Sequence, residues 1–134
     1  MKTTVKLLMA LLVLGMAVPE LSAGEKGKKE TQLYAVSFFA DWCPVCKAIG
    51  PSVMQLQADL KGKPVEFVKF DFTNDETKAK TRQLAKDLGL EKILEDNNGT
   101  GFVILVNPKT GKEEGRLNRS LDEKEMLSKV TALL

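Results

Sequence analysis

The chain of 134 residues contains no histidine and only two cysteines. Zinc sites usually take four protein ligands from Cys and His, so a zinc site here would need a second copy of the chain. Basic and acidic residues nearly balance, at 20 against 18, which predicts no nucleic-acid partner. We therefore expect no metal, no other cofactor and a monomer.

Long apolar runs are also scarce. The longest, residues 7–18, is shorter than the roughly 20 residues that a bilayer span needs. Lys2 and Lys6 precede this run, and Leu21-Ser22-Ala23-Gly24 follows it, which resembles a secretory signal cleaved after Ala23. This pattern predicts a periplasmic or secreted protein, with an uncleaved membrane anchor as the alternative. The cleavage site has no nearby cysteine that could carry a lipid.

The sequence predicts three parts. Residues 1–23 form the signal peptide, and residues 24–32 form a solvated, flexible leader that is rich in lysine and glycine. Residues 33–134 suffice for one domain with its own core, but not for two. No repeat or low-complexity tract interrupts them.

Both cysteines lie in the sequence Trp42-Cys43-Pro44-Val45-Cys46-Lys47, where a strand-like run gives way to a helical pattern. The first turn of a helix has unpaired N–H groups and a partial positive charge, so a thiolate at Cys43 is stabilised there. Pro44 suits the first helical position. Cys46 lies one turn deeper on the same face. The motif predicts a redox pair, with Cys43 as the nucleophile and Cys46 as the resolving thiol.

A structural disulfide is another interpretation, because exported proteins often contain one. Closing so short a loop removes little entropy from the unfolded chain, so the bridge would stabilise the fold only weakly. The redox interpretation makes a further prediction. In a catalyst, Cys43 should be exposed and its pKa should be low.

Hydrophobic periodicity and turn residues predict alternating strands and helices. Gly89 is the expected C-cap of the second helix, and Ser120 with Glu123 is expected to form the capping box of the last. Leu127, Val130 and Leu134 are expected on the inner face of that last helix. The predicted elements are strand 33–40, helix 44–60 with a kink at Pro51, strand 65–72, helix 75–88, strands 102–106 and 113–117, and a final helix.

This order, βαβ followed by ββα, predicts an α/β fold in which a central mixed sheet of about four strands is flanked by helices. The order, the Trp-Cys-x-x-Cys-Lys motif after a strand, and Pro51 together resemble the thioredoxin family over residues 33–134. Phe39-Ala40-Asp41-Trp42-Cys43 and Phe70-Asp71-Phe72-Thr73-Asn74-Asp75 are most similar to the exported C-terminal domain of DsbD-type interchange reductases.

The resemblance implies a thiol-disulfide oxidoreductase. Cys43 would attack a partner disulfide, and Cys46 would resolve the mixed disulfide. Trp42 would form part of the surface beside the sulfurs, although plain packing is the alternative. Lys69 matches a lysine that lies under the active site in thioredoxins; its other interpretation is a surface residue at a strand end.

The chain departs from the family at three places. Ser37 stands where thioredoxins carry a buried acid, and Gly101 aligns with the family's cis-proline. Glycine reaches unusual backbone angles but does not enforce a cis bond. The segment Glu91 to Thr100 is an insertion near the sulfurs, which would either shape partner choice or be a neutral surface loop.

The Pro44-Val45 dipeptide lacks the histidine that strongly oxidising relatives carry between their cysteines, which favours a reductant or a mid-potential carrier. The expected partners are exported proteins with disulfides and a membrane thiol electron donor. The alternative function is a thioredoxin-fold binding module that holds a protein partner or a metal ion without turnover. The substitution of Gly101 for proline motivates that alternative.

Overall fold

The computed structural model describes residues 30–134, which form four strands and four helices. The predicted signal peptide and residues 24–29 of the predicted leader lie outside the described residues. At the described end of that leader, the Gln32 N–H donates a hydrogen bond of 2.8 Å to the carbonyl of Pro64. The elements are β1 (Leu33–Phe39), α1 (Pro44–Asp59), β2 (Val65–Asp71), α2 (Asp75–Leu88), α3 (Glu91–Asp96), β3 (Phe102–Val106), β4 (Glu113–Leu117) and α4 (Glu123–Thr131).

The strands form one mixed sheet in the order β2-β1-β3-β4. β1 pairs with β2 in parallel and with β3 antiparallel, and β3 pairs with β4 antiparallel. The predicted mixed sheet flanked by helices is therefore confirmed. β1 lies in the middle of the sheet, and its carboxyl end leads directly to the cysteines.

Each face of the sheet covers its own apolar core. On one face, Leu33 and Leu105 of the sheet pack with α1 and α4. On the other, Phe38 and Phe70 pack with α2, α3 and Leu90. Alternating side chains of the strands point to opposite faces, so the central strands contribute to both cores. Helices on both faces of the sheet thus pack against β1, the strand that leads to the cysteines.

The capping box predicted for the last helix is two residues out of register. Asp122, not Ser120, is the N-cap. Its carboxylate accepts a hydrogen bond from the Glu125 N–H, and the Glu125 carboxylate accepts one from the Asp122 N–H. Ser120 instead bonds to the side chain of Asn118. The spacing of a capping box occurs both at Ser120 with Glu123 and at Asp122 with Glu125. In the structure the helix begins after Asp122, and Met126 and Val130 are its buried residues.

The prediction of the residues on the inner face of α4 was partly wrong. Val130 is buried as predicted, but Met126 takes the second core position. Leu127 is only partly buried, and Leu134 is 38% exposed.

The inserted segment contains a helix that the sequence did not predict. α3 spans Glu91–Asp96 and has no side-chain cap at its N-terminus. So short a helix has little intrinsic stability, and packing must stabilise it. Ile93, 6% exposed, supplies that packing in the core beside α2.

Candidate active site

Cys43 is the N-cap residue of α1, and Pro44 follows in the first turn. The Cys43 N–H donates to the Ala40 carbonyl at 3.2 Å, which closes the turn after β1. The Cys43 Sγ accepts from the Cys46 N–H, also at 3.2 Å. Side-chain capping by sulfur satisfies one of the free N–H groups of the helix and places that sulfur at the positive end of the helix dipole.

Both cysteines are free thiols, and each is only 4% exposed. They form a small buried cluster with Ala40, against which Phe39, Val45 and Phe72 pack. The expectation of an exposed Cys43 is therefore wrong. Its chain neighbours Trp42 and Pro44 are nevertheless exposed, so this thiol lies just beneath the surface.

The pKa values of the two thiols shift in opposite directions. Desolvation acts to raise the pKa of Cys43, but hydrogen bonds from the side chains of Cys46 and Thr100 and from backbone N–H groups outweigh it and lower the pKa. Burial and the interaction with Cys43 raise the pKa of Cys46, whose thiol donates to the Phe38 carbonyl at 3.7 Å. Cys43 is thus the thiol that ionises first.

The 72–74 loop, residues Phe72 to Asn74, holds Trp42. The indole N–H of Trp42 donates to the Thr73 carbonyl at 3.2 Å, and the Asp41 N–H donates to the Thr73 hydroxyl at 3.1 Å. Thr73 is held in turn by the Asp71 carboxylate, to which both its N–H and its hydroxyl donate. Trp42 is 60% exposed, so the loop fixes a large apolar side chain at the surface beside Cys43.

The 97–101 loop, residues Asn97 to Gly101, lies on another side of the sulfurs. The side chain of Thr100 acts to lower the pKa of both thiols, although the sequence alone indicated no role for it. Gly101 has a φ of +96°, and no cis peptide bond occurs in residues 30–134. A Cβ at Gly101 would lie 2.6 Å from Cγ1 and 2.8 Å from Cβ of Val45. Glycine is therefore needed here for both its backbone angle and its lack of a side chain.

Behind Cys46, a mostly apolar cavity of about 300 Å³ lies between α1 and the sheet. Ser37, Lys69 and Met54 also line it. Lys69 is exposed, and its Nζ lies 3.9 Å from the centre of the Phe39 ring. Lys69 is thus a surface residue that borders the cavity reaching Cys46.

No cluster of three or more His, Cys, Asp or Glu side chains that could hold a metal occurs among the described residues. Over the same residues, 30–134, no helix is long and apolar enough to cross a membrane.

Comparison with known families agrees with this geometry. The Thioredoxin family model matches residues 24–86. A thioredoxin-like protein of Arabidopsis thaliana, HCF164 from the chloroplast, is 31% identical over 117 residues, covering 87% of this chain and 38% of its own length. The resemblance to the thioredoxin-like family that the sequence indicated is thus confirmed.

Another similar protein extends the comparison. A protein disulfide-isomerase of Aspergillus oryzae is 40% identical over 63 residues, which is 47% of this chain and 11% of that protein. The chain thus spans well under half the length of these curated relatives. The names of these thioredoxin-like relatives agree with the enzyme class that the sequence predicted.

Solved structures show the same fold. The structure of MTB dsbF, in mixed oxidised and reduced forms, has a TM-score of 0.54 at 20% identity, covering 78% of this chain and 83% of that one. StoA from Bacillus subtilis has a TM-score of 0.52 at 18% identity, covering 76% and 84%. The thioredoxin-like fold predicted from the motif order is confirmed.

Proposed function

We propose that the protein is an exported thiol-disulfide oxidoreductase that reduces or exchanges disulfides in other exported proteins. The observation that carries the proposal is the pair of thiols at the start of α1, where the pKa of Cys43 is lowered and that of Cys46 is raised. This difference assigns attack to Cys43 and resolution to Cys46.

The reaction follows from these assignments. The Cys43 thiolate attacks one sulfur of a partner disulfide, forms a mixed disulfide and releases one partner thiol. Cys46 loses its proton and attacks the Cys43 sulfur, which forms the Cys43–Cys46 disulfide and releases the second partner thiol. Two electrons pass to the partner, and the protein is left oxidised. No carboxylate lines the cavity behind Cys46 to accept the proton of its thiol. We infer that this proton leaves to solvent through the cavity, past Ser37 and Lys69.

A second dithiol must then reduce the protein for another cycle. We assign this role to a membrane thiol electron donor, because a periplasm kept oxidising offers no soluble reducing buffer. Export rests on the predicted signal in residues 1–23, and the kinship with DsbD-type reductases rests on the two short sequences quoted above. The absence of histidine between the cysteines supports a reductant or mid-potential carrier.

The alternative is a binding module that holds a protein partner or a metal ion without turnover. The burial of Cys43, 4% exposed, favours it, because a nucleophile must be reached by a partner disulfide. In the proposed function the two thiols pass repeatedly between the reduced and the disulfide form, whereas in the binding module they do not.

The reduction potential of the thiol pair, measured by equilibration in glutathione or dithiothreitol buffers, tests the proposal. A value near that of thioredoxin, about −270 mV, would support a reductant, whereas one near −120 mV would indicate an oxidant. Cys46→Ala should trap mixed disulfides through Cys43, and Cys43→Ala is the matched control. If the thiol pair cannot be oxidised and reduced again, the proposed function would be excluded in favour of the binding module.

A further inference from the structure

The cavity behind Cys46 has a small residue on each of its two walls. Ser37 of β1 lines it on the sheet side, and Gly50 of α1 lines it on the helix side. A Cβ added at Gly50 would meet no atom within 4 Å. Glycine is unfavourable inside a helix, so Gly50 contributes space rather than helix stability. Open space of about 300 Å³ remains beside the resolving thiol.

Most of the remaining lining is apolar. Ile49 and Val53 of α1 and Phe67 of β2 contribute to it. Met54 also lines the cavity and is 71% exposed, so this flexible apolar side chain lies where the cavity opens to solvent. Sites for small molecules are usually concave and mainly apolar, have volumes of about 300–1,000 Å³, and carry a few polar groups that orient the ligand. The cavity has this character.

Lys69 is the charged residue that lines the cavity, and no carboxylate lies beside it there. Its Nζ lies 3.9 Å from the centre of the Phe39 ring, which holds the ammonium group at this edge. Among residues 30–134, Lys69 forms no salt bridge. The Asp71 carboxyl, whose pKa the Lys69 charge helps to lower, already accepts two hydrogen bonds from Thr73. The ammonium group is therefore available to an anion.

We propose that the cavity binds a small amphipathic anion, a carboxylate with an unbranched hydrocarbon tail. The carboxylate lies at Lys69, and the tail lies beside Cys46. A volume of about 300 Å³ is that of about ten waters, so the ligand has about ten non-hydrogen atoms, the size of octanoate. Binding needs no thiol exchange and so goes beyond the proposed function. An occupied cavity also closes the route inferred for the Cys46 proton.

The test titrates octanoate into the reduced, full chain and follows the backbone amides by NMR. Shifts should saturate and centre on Ser37, Gly50 and Lys69. Each CH₂ added between butanoate and octanoate should tighten binding by about fourfold, and the gain should stop once the cavity is full. A gain that continues unchanged to dodecanoate would indicate an open apolar surface and would overturn the proposal.

The charge of the head group is tested with a second ligand and a variant. Octyltrimethylammonium has the same tail and the opposite charge, and should bind at least about threefold more weakly than octanoate. Lys69→Met keeps an apolar stem and should weaken octanoate binding by about three- to fivefold. Lys112→Met is the matched control, because Lys112 is exposed and does not line the cavity, and its affinity should not change.

The place of the tail is tested by filling the cavity. Ser37→Ile puts a larger side chain there that suits a strand, and should weaken octanoate binding at least about tenfold. Gly50→Ala adds only a Cβ, which meets no atom and favours the helix, so this variant should fold and weaken binding less than Ser37→Ile. Unchanged affinity in both variants would overturn the proposal.

Two further results would contradict it. One is the lack of any saturable shift at the cavity residues below the concentration at which octanoate forms micelles. The other is a raised midpoint in the pH profile of Cys43 alkylation by iodoacetamide, because a carboxylate bound beside that thiol would raise its pKa. None of these measurements requires the thiols to cycle. Binding in the cavity and the proposed function can therefore fail separately.

Discussion

Two loops flank the sulfurs, and they act on different properties of the site. The 72–74 loop bonds to Asp41 and Trp42 and holds an exposed indole. In the 97–101 loop, the side chain of Thr100 acts to lower the pKa of Cys43, and Gly101 packs against Val45. We therefore expect the first loop to shape the surface that a partner meets, and the second to set the reactivity of the thiols. Four substitutions test this division.

The largest effect is expected from Gly101→Ala. The new Cβ would lie 2.6 Å from Val45 Cγ1, at a φ of +96°. Overpacking and left-handed strain together should lower the free energy of unfolding by about 2–5 kcal/mol, measured by urea denaturation. Gly62→Ala is the matched control, because Gly62 has a φ of +82° but no atom within 4 Å of the added Cβ. Equal losses in the two variants would mean that contact with Val45 is unimportant.

Thr73→Val tests the first loop. Loss of the hydroxyl removes the acceptor for the Asp41 N–H and a donor to Asp71, and should lower the free energy of unfolding by about 1–2 kcal/mol. Trp42 is the chain's one tryptophan, so its fluorescence emission and anisotropy report directly on the loosened indole. Thr131→Val, which removes an exposed hydroxyl on α4, should change neither reading. Slower Cys43 alkylation in Thr73→Val would contradict the division.

Thr100→Val tests the second loop with a side chain of similar shape. Loss of the hydroxyl should raise the pKa of Cys43, since desolvation is then opposed by fewer hydrogen bonds, and slow its alkylation about three- to tenfold below the midpoint. Trp42 fluorescence should not change. A shifted emission with unaltered alkylation would reverse the roles of the two loops.

The smallest effect concerns acid stability. Desolvation opposes ionisation of Asp71, but hydrogen bonds from Thr73 and the nearby Lys69 charge outweigh it and lower the pKa of the carboxyl. This carboxylate therefore stabilises the fold above its unfolded pKa of about 3.9, and the contribution disappears as the pH falls through the lower folded value. Asp71→Asn should flatten the stability profile in that range, measured by urea denaturation at several pH values. An unchanged slope would exclude Asp71 as a contributor.

Local patterns in the sequence were sufficient for most of the fold. The bounds of α2, including its left-handed C-cap at Gly89, and those of β3 and β4 agree with the prediction. α3 was missed because it is short and uncapped, so that packing of Ile93 rather than local sequence stabilises it. The cap was predicted at Ser120, whereas the structure places it at Asp122, which forms a capping box with Glu125.

The site shows the same limit. The positions of Cys43 and Pro44 at the start of α1 follow from local rules of helix capping. The effect of Thr100 on the thiol pKa values and the contact of Thr73 with Trp42 involve residues that are about 30 to 60 positions apart, and no periodic pattern encodes them. Cys43 is buried because segments distant in the sequence, including Phe72, meet around it. Local sequence patterns do not show this meeting, and the thiol was therefore predicted to be exposed.

The sequence by itself determined the order of the elements other than α3, the single redox motif and the family resemblance, because these depend on neighbours along the chain. The tertiary structure decided that both thiols are buried, that Gly101 packs against Val45, and that the 72–74 loop holds Trp42. These features arise where distant segments meet at the carboxyl end of β1. Hydrogen bonds and steric contacts act over a few ångströms in space, whatever the separation along the chain.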